Sequence, residues 1–207
     1  MYNVEEIRKL FPMLNGDKTM QGKKLVYLDN SSTTFKPQCV IDAISNYYTN
    51  MTANSHRGDY DLAYNMDVEV LNCRKAVAHF VNCNPNEVVF TSGSTMSTNL
   101  IAYGYGDKFI KPGDEILLEE TGHASNLLPW FNLAKRTGAI IRYINLDNSG
   151  KITLKNLQNA LNSKTKIVAL AAVTNVLGYG IDIKEFAKEI HKYNAIFVVD
   201  GAQSVPH

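Results

Sequence analysis

The sequence predicts an α/β fold, a mostly parallel sheet with helices on both of its faces. Three observations carry that expectation. Apolar runs of strand length alternate with segments of helical period, the β-α-β order from which parallel sheets are built. The run Ala195-Ile196-Phe197-Val198-Val199, largely β-branched, ends in Asp200-Gly201 and reads as a strand buried on both faces. Short turns such as Asn84-Pro85-Asn86, Lys111-Pro112-Gly113-Asp114 and Asp147-Asn148-Ser149-Gly150 punctuate the alternation.

Residues 1–20 read as an arm, a helix followed by a polar loop, and residues 21–207 as part of one larger domain. The first strand is expected at Leu25–Leu28 and a helix at Pro37–Met51. A long helix follows over Leu62–Asn82, where Leu62, Met66, Val70, Cys73, Val77, Phe80 and Val81 recur at steps of three and four. That stripe reads as core, with Cys73 as a small buried hydrophobe. Strand Glu87–Thr91 then leads into helix Thr95–Tyr105, and strand Glu115–Glu119 into helix Leu128–Thr137. Strand Ala139–Asn145 precedes helix Leu154–Leu161, and strand Lys166–Ala171 precedes helix Ile183–Tyr193. In that last helix Phe186, Ala187, Ile190 and Tyr193 share one apolar face opposite Lys184, Glu185, Lys188, Glu189 and Lys192. The closing strand is Ala195–Val199.

Composition narrows the function. A chain of 207 residues, 45% apolar and 20% charged, has the balance of a soluble globular protein. A formal net charge of +1 offers no electrostatic case for nucleic acid or an anionic membrane. No apolar run approaches transmembrane length, and Glu5 and Glu6 interrupt any secretory signal, so a cytoplasmic address is expected. Cys39, Cys73 and Cys83 are irregularly spaced, with no Cys-x-x-Cys and no His at a zinc offset, so neither a disulfide framework nor a metal site is expected.

Chemistry concentrates where strands end. In open α/β sheets ligands bind at the C-terminal edge of the strands, where Asp200 is expected to emerge together with Thr95, His123 and Asn175. A desolvated carboxylate there calls for a partner such as a metal, a ribose hydroxyl or a protonated ring nitrogen. Ser92-Gly93-Ser94-Thr95 opens a helix and can wrap a phosphate with hydroxyls and backbone N–H groups. Ser94 or Thr95 would serve equally as a plain N-cap. No Gly-x-x-x-x-Gly-Lys-Ser/Thr or Gly-x-Gly-x-x-Gly is present, which argues against a nucleoside triphosphate or a dinucleotide. His123 can stack on a flat ligand, move a proton, or simply hydrogen-bond in its loop. Asn175 can donate to a ligand oxygen or form a turn. Arg57, in His56-Arg57-Gly58, can meet a carboxylate. Taken together, a phosphate cradle, a stacking ring, an amide donor and a carboxylate suit a flat, phosphorylated heteroaromatic with a basic ring nitrogen, a description that pyridoxal phosphate fits.

The chain resembles the pyridoxal-phosphate-dependent cysteine desulfurases of the class V aminotransferase family, the SUF-type group most closely. The matching stretches are Tyr27-Leu28-Asp29-Asn30-Ser31-Ser32-Thr33-Thr34 with Lys36-Pro37, His56-Arg57-Gly58, Gly93-Ser94-Thr95 with Asn99-Leu100, His123 with Asn126 and Pro129-Trp130, Asn175-Val176-Leu177-Gly178, and Asp200-Gly201-Ala202-Gln203-Ser204. The resemblance implies the large domain of pyridoxal-phosphate fold type I. It implies that Ser94 and Thr95 hold the cofactor phosphate, His123 stacks on the ring, Asp200 meets the ring nitrogen, and Asn175 and Gln203 address the ring oxygen. It also implies L-cysteine as substrate, a sulfur acceptor of iron–sulfur cluster assembly as partner, and a homodimer. Met96 stands where the family usually has Glu, and Gly122 and Ala124 flank His123 where Glu and His are usual. The family's cofactor-linking Lys, nucleophilic Cys and substrate-binding Arg find no matching positions. The expectation is therefore the N-terminal half of a desulfurase, lacking the rest of the large domain and the small domain, and inactive alone. Alternatives are a selenocysteine lyase or other class V enzyme, and a non-catalytic binding or dimerising chain.

Overall fold

The computed structural model describes residues 2–16 and 18–206. They form two compact units, one ending at Phe90 and the other starting at Thr91.

The first unit opens with helix α1 (Val4–Lys9), capped by the Asn3 side chain. Strands β1 (Thr19–Met20) and β2 (Lys23–Lys24) then pair as an antiparallel hairpin. Gln21 and Gly22 both take positive φ, +54° and +73°, as a tight two-residue hairpin turn requires. Helix α2 (Gln38–Asn46) widens into a π-type turn over Tyr47–Met51, and α3 (Asp61–Val81) follows. Asn82 closes α3 in the left-handed conformation, φ 56°.

Two expected strands are absent here. Leu25–Leu28 and Glu87–Thr91 belong to no sheet among the described residues: Glu87 ends a short turn over Pro85–Glu87, and Leu28 is 89% exposed. An apolar run becomes a strand when a neighbour takes up its N–H and C=O groups along its length. Here the Leu25 amide donates to the Lys18 carbonyl at 3.1 Å and the Val88 carbonyl accepts from Arg74, but no ladder follows. The α3 stripe also departs from expectation. Ala63, Met66 and Ala78 are the buried residues, whereas Cys73 and Phe80 are exposed. Period fixed which residues share a face of α3, but little in the described chain covers that face.

The second unit holds the sheet. Helix α4 (Ser94–Ile101) runs through a π-type turn at Ala102–Gly106 into the short α5 (Asp107–Phe109). Strand β3 (Glu115–Leu118), helix α6 (Leu128–Thr137), β4 (Ile140–Tyr143), α7 (Leu154–Ala160), β5 (Thr165–Ala171), α8 (Ile183–His191) and β6 (Ile196–Asp200) complete the order. All four strands are parallel, in the order β4-β3-β5-β6.

Alternation along the strands splits the core into two layers. Leu117, Val168 and Leu170 pack with Leu157 of α7 and Phe186 and Ile190 of α8. Ile116, Leu118, Ile167 and Ala169 pack with Ala102 and with Trp130 and Leu133 of α6. Helices therefore cover both faces, as the sequence predicts. The last strand differs in one respect: β6 is at the end of the strand order and only half-buried, with Val199 38% exposed. Its apolar run was read as doubly buried, yet one of its edges has no strand beside it among the described residues.

Candidate functional site

Because all strands of the second unit are parallel, β3, β5 and β6 end at one edge of the sheet, and the chemistry gathers there. β6 delivers Asp200, half-buried, in register with Ala171 of β5. Its main-chain carbonyl accepts from the Ala172 amide at 2.9 Å, and its Oδ1 accepts from the Ala202 amide at 3.0 Å. Gln203 follows, half-buried, in the turn that comes after. A Cβ on Gly201 would approach Val205 Cγ2 to 2.7 Å, so this turn closes tightly beside the carboxylate.

The N-terminus of α4 supplies the hydroxyls. Gly93 has φ 149°, a conformation open to glycine and strained for other residues, with open space above it. The Thr91 hydroxyl accepts from the Gly93 amide at 3.3 Å and meets Ser97 Oγ at 2.8 Å, bracing the turn. Ser94 and Thr95 are exposed in the first turn. The amides of a first turn have no acceptor within the helix and face outward with the helix's positive end. A cleft of about 340 Å³ has Ser94, Ser97, Thr98 and Ile101 of α4 along one side and Val198, Asp200, Gly201 and Val205 along the other. Ser94 and Asp200 thus line one hollow.

His123 follows β3, exposed, at the head of a short turn over Ala124–Asn126. Its Nδ1 accepts from the Ser125 amide at 3.2 Å, and Ser125 Oγ lies 2.7 Å from Thr95 Oγ1. One serine therefore ties the phosphate-type cradle to the imidazole. Below it, Asn126 is 1% exposed, and its Oδ1 accepts from Trp130 Nε1 at 3.3 Å. Asn175 is exposed in the turn after β5, where the Gly178 amide donates to the Thr174 carbonyl at 3.1 Å.

The second unit thus brings Ser94 to Asp200 and Thr95 to His123, with Asn175 and Gln203 on turns after β5 and β6. Thr95 does not follow a sheet strand, as expected of it, and reaches the edge through Ser125 instead. Arg57 belongs to the first unit, exposed in a loop held by the His56 amide donating to Asp67 Oδ1 at 2.7 Å. The donor set fits an anionic aromatic ligand: hydroxyls and a helix N-terminus for a phosphate, an imidazole for a ring face, and a carboxylate for a basic nitrogen.

Two residues of this edge were missed by sequence reasoning. Ser125 carries no signal in the sequence beyond its neighbourhood to His123. Glu119 was read only as the end of a strand, although it follows the apolar run Ile116–Leu118 just as Asp200 follows its own. It is 1% exposed, and its Oε1 accepts from the Ala171 amide at 2.6 Å.

Residues 26–207 match the aminotransferase class-V family. A probable cysteine desulfurase of Halalkalibacterium halodurans is 40% identical over 206 residues, 99% of this chain and 50% of that protein. One of Vibrio cholerae is 40% identical over 208 residues, 100% of this chain and 51% of its own. Among solved structures, the apo cysteine desulfurase of Thermococcus onnurineus NA1 superposes with a TM-score of 0.90 at 35% identity, covering 100% of this chain and 49% of that one. A cysteine desulfurase of Escherichia coli gives 0.85 at 29% identity, covering 100% and 50%. The chain spans about half the length of the curated relatives it matches.

Proposed function

Because this chain belongs to the class V aminotransferase family, we propose that it carries the pyridoxal phosphate site of a cysteine desulfurase. The observation that carries the reading is the cleft in which the N-terminus of α4 faces the carboxylate at the end of β6. Ser94, Thr95 and the first-turn amides of α4 bind the phosphate. His123 lies on the ring face, Asp200 keeps the ring nitrogen protonated, and Asn175 and Gln203 address the ring oxygen. When bound, the cofactor supplies an electron sink for the bond that breaks in the substrate. The Arg57 guanidinium, in the first unit, is proposed to meet a carboxylate.

The reaction takes L-cysteine and an enzyme thiol to L-alanine and an enzyme persulfide, which hands its sulfur to an acceptor of iron–sulfur cluster assembly. A homodimer and a cytoplasmic address belong to the same proposal. No helix among the described residues is long and apolar enough to cross a membrane. The family's cofactor-linking Lys and nucleophilic Cys have no counterpart in these 207 residues, so turnover is assigned to a protein that supplies them as well. The test is alanine release from L-cysteine by such a protein, with L-selenocysteine as competitor. Alanine formation that requires pyridoxal phosphate and favours cysteine is expected; a preference for selenocysteine would move the assignment to a lyase.

A further inference from the structure

Glu119 has no role in the site as assigned above, yet it is the most thoroughly buried carboxylate at this sheet edge. It leaves β3 one residue after Leu118, and its Oε1 reaches across to the Ala171 amide on β5. Ala171 is the residue paired with Asp200 on β6. The Ala171 rung therefore has the Glu119 carboxyl on one side and Asp200 on the other. None of the ion pairs among the described residues includes Glu119. A buried carboxylate held by one amide and no cation is poorly compensated for lost water, which favours the neutral acid.

We propose, on the basis of the functional reading above, that Glu119 is a positioning residue for Asp200. As a buried neutral acid it fixes the rung that presents Asp200, without placing a second negative charge beside it.

The groups facing Glu119 support this assignment. Burial pushes its carboxyl above the ordinary glutamate range, the Ala171 amide pulls the other way, and the Asp200 charge pushes up again. Tyr179, from the segment after β5, is near enough that a charge on Glu119 would raise its phenol further, though burial is the chief cause of its raised value. Glu120 and His123 complete the titratable groups on the same loop. Sterics add a second line. A Cβ on Gly122 would lie 2.9 Å from Glu119 Cγ and 3.2 Å from its carbonyl oxygen. Gly122 is thus the residue that leaves room for Glu119.

The experiment is a pH titration of the Glu119 carboxyl by carbon-13 NMR, in the protein without added cofactor and in Asp200→Asn. β3 and β6 flank β5, so the two side chains stem from backbones about 10 Å apart. At that separation, removing the Asp200 charge should lower the Glu119 midpoint by about half a pH unit to one unit. A Glu119 midpoint at or below the ordinary glutamate value, or one unmoved in Asp200→Asn, would overturn the proposal. Glu119→Gln keeps the acceptor for Ala171 and should leave the pyridoxal phosphate dissociation constant at neutral pH within about twofold. Gly122→Ala, which crowds the carboxyl, should weaken it several-fold. Equal binding by Gly122→Ala and the unaltered protein would also overturn the proposal. If the titration behaves as expected but pyridoxal phosphate does not bind, the functional reading falls and the link between the two carboxyls stands.

Discussion

Trp130→Phe probes the floor of the site most sharply. Trp130 is fully buried, and its Nε1 donates to Asn126 Oδ1 at 3.3 Å. Asn126 is itself 1% exposed, and its Nδ2 makes no hydrogen bond to the described residues. Phenylalanine removes the donor and leaves Oδ1 unpaired as well, at a cost of about 1–3 kcal/mol. The missing second ring adds about 1 kcal/mol of lost transfer energy and a similar amount for the cavity. The sum, about 3–5 kcal/mol, is a large part of the 5–15 kcal/mol that typically holds a domain together. With a urea slope of about 2 kcal/mol/M, the midpoint should fall by roughly 1.5–2.5 M. Far-UV circular dichroism is the assay, because Trp130 is the only tryptophan in the chain. In an Asn126→Ala background the same substitution should cost about 2 kcal/mol or less, since no oxygen is then orphaned. A midpoint shift below about 0.5 M, or one equal in both backgrounds, would refute the idea that this hydrogen bond anchors the turn carrying His123 and Ser125.

Asp200→Ala in the catalytically complete protein should lower turnover by about 10²–10³-fold, the scale of losing a preorganised charge from a reacting site. Asp200 Oδ1 accepts from the Ala202 amide among the described residues, so stability should fall by only about 1 kcal/mol, and near-normal turnover would contradict the role. At the opposite edge of the sheet, Glu115 Oε2 accepts from Arg142 Nη1 at 2.6 Å and Asn162 Nδ2 at 2.7 Å. Burial alone would raise the Glu115 carboxyl, but those two bonds, together with the positive charges of Arg142 and Lys164, outweigh it and leave it below the ordinary glutamate value. Its stabilisation is therefore fully present above about pH 4.3 and is lost as the pH falls through the lowered folded value. Urea midpoints of the unaltered protein and Glu115→Gln should differ at pH 7 and converge on acidification; a gap that stays constant to pH 3 would rule this out.

Helices α6 and α8 and strand β5 were legible almost to the residue, because period, caps and breakers agree there. Pro129 opens α6, Gly138 closes it in a left-handed conformation, and the Asp182 side chain caps α8. Leu25–Leu28 and Glu87–Thr91 were misread for the same physical reason. Composition marks a segment as extended, but a ladder needs a partner that the local sequence cannot name. The α3 stripe failed likewise, since a helix period says which residues share a face and nothing about what covers it. In the site, Asp200, His123 and Asn175 were legible from their positions after apolar runs. The Thr95–Ser125 contact joins residues thirty positions apart, and Glu119 became visible only through Ala171 of another strand.

Equilibrium binding of pyridoxal phosphate to this chain tests the central claim most directly. Dialysis followed by absorbance of the bound fraction would be compared for the unaltered chain, Thr95→Ala and Asp200→Ala. Saturable, reversible binding is expected, weakened about tenfold in Thr95→Ala by loss of one charge-assisted hydrogen bond, and weakened in Asp200→Ala as well. Borohydride treatment followed by intact-mass measurement should leave no stoichiometric adduct on any single lysine. No saturable binding, or equal binding by all three proteins, would contradict the claim that the cleft between α4 and β6 is the cofactor site.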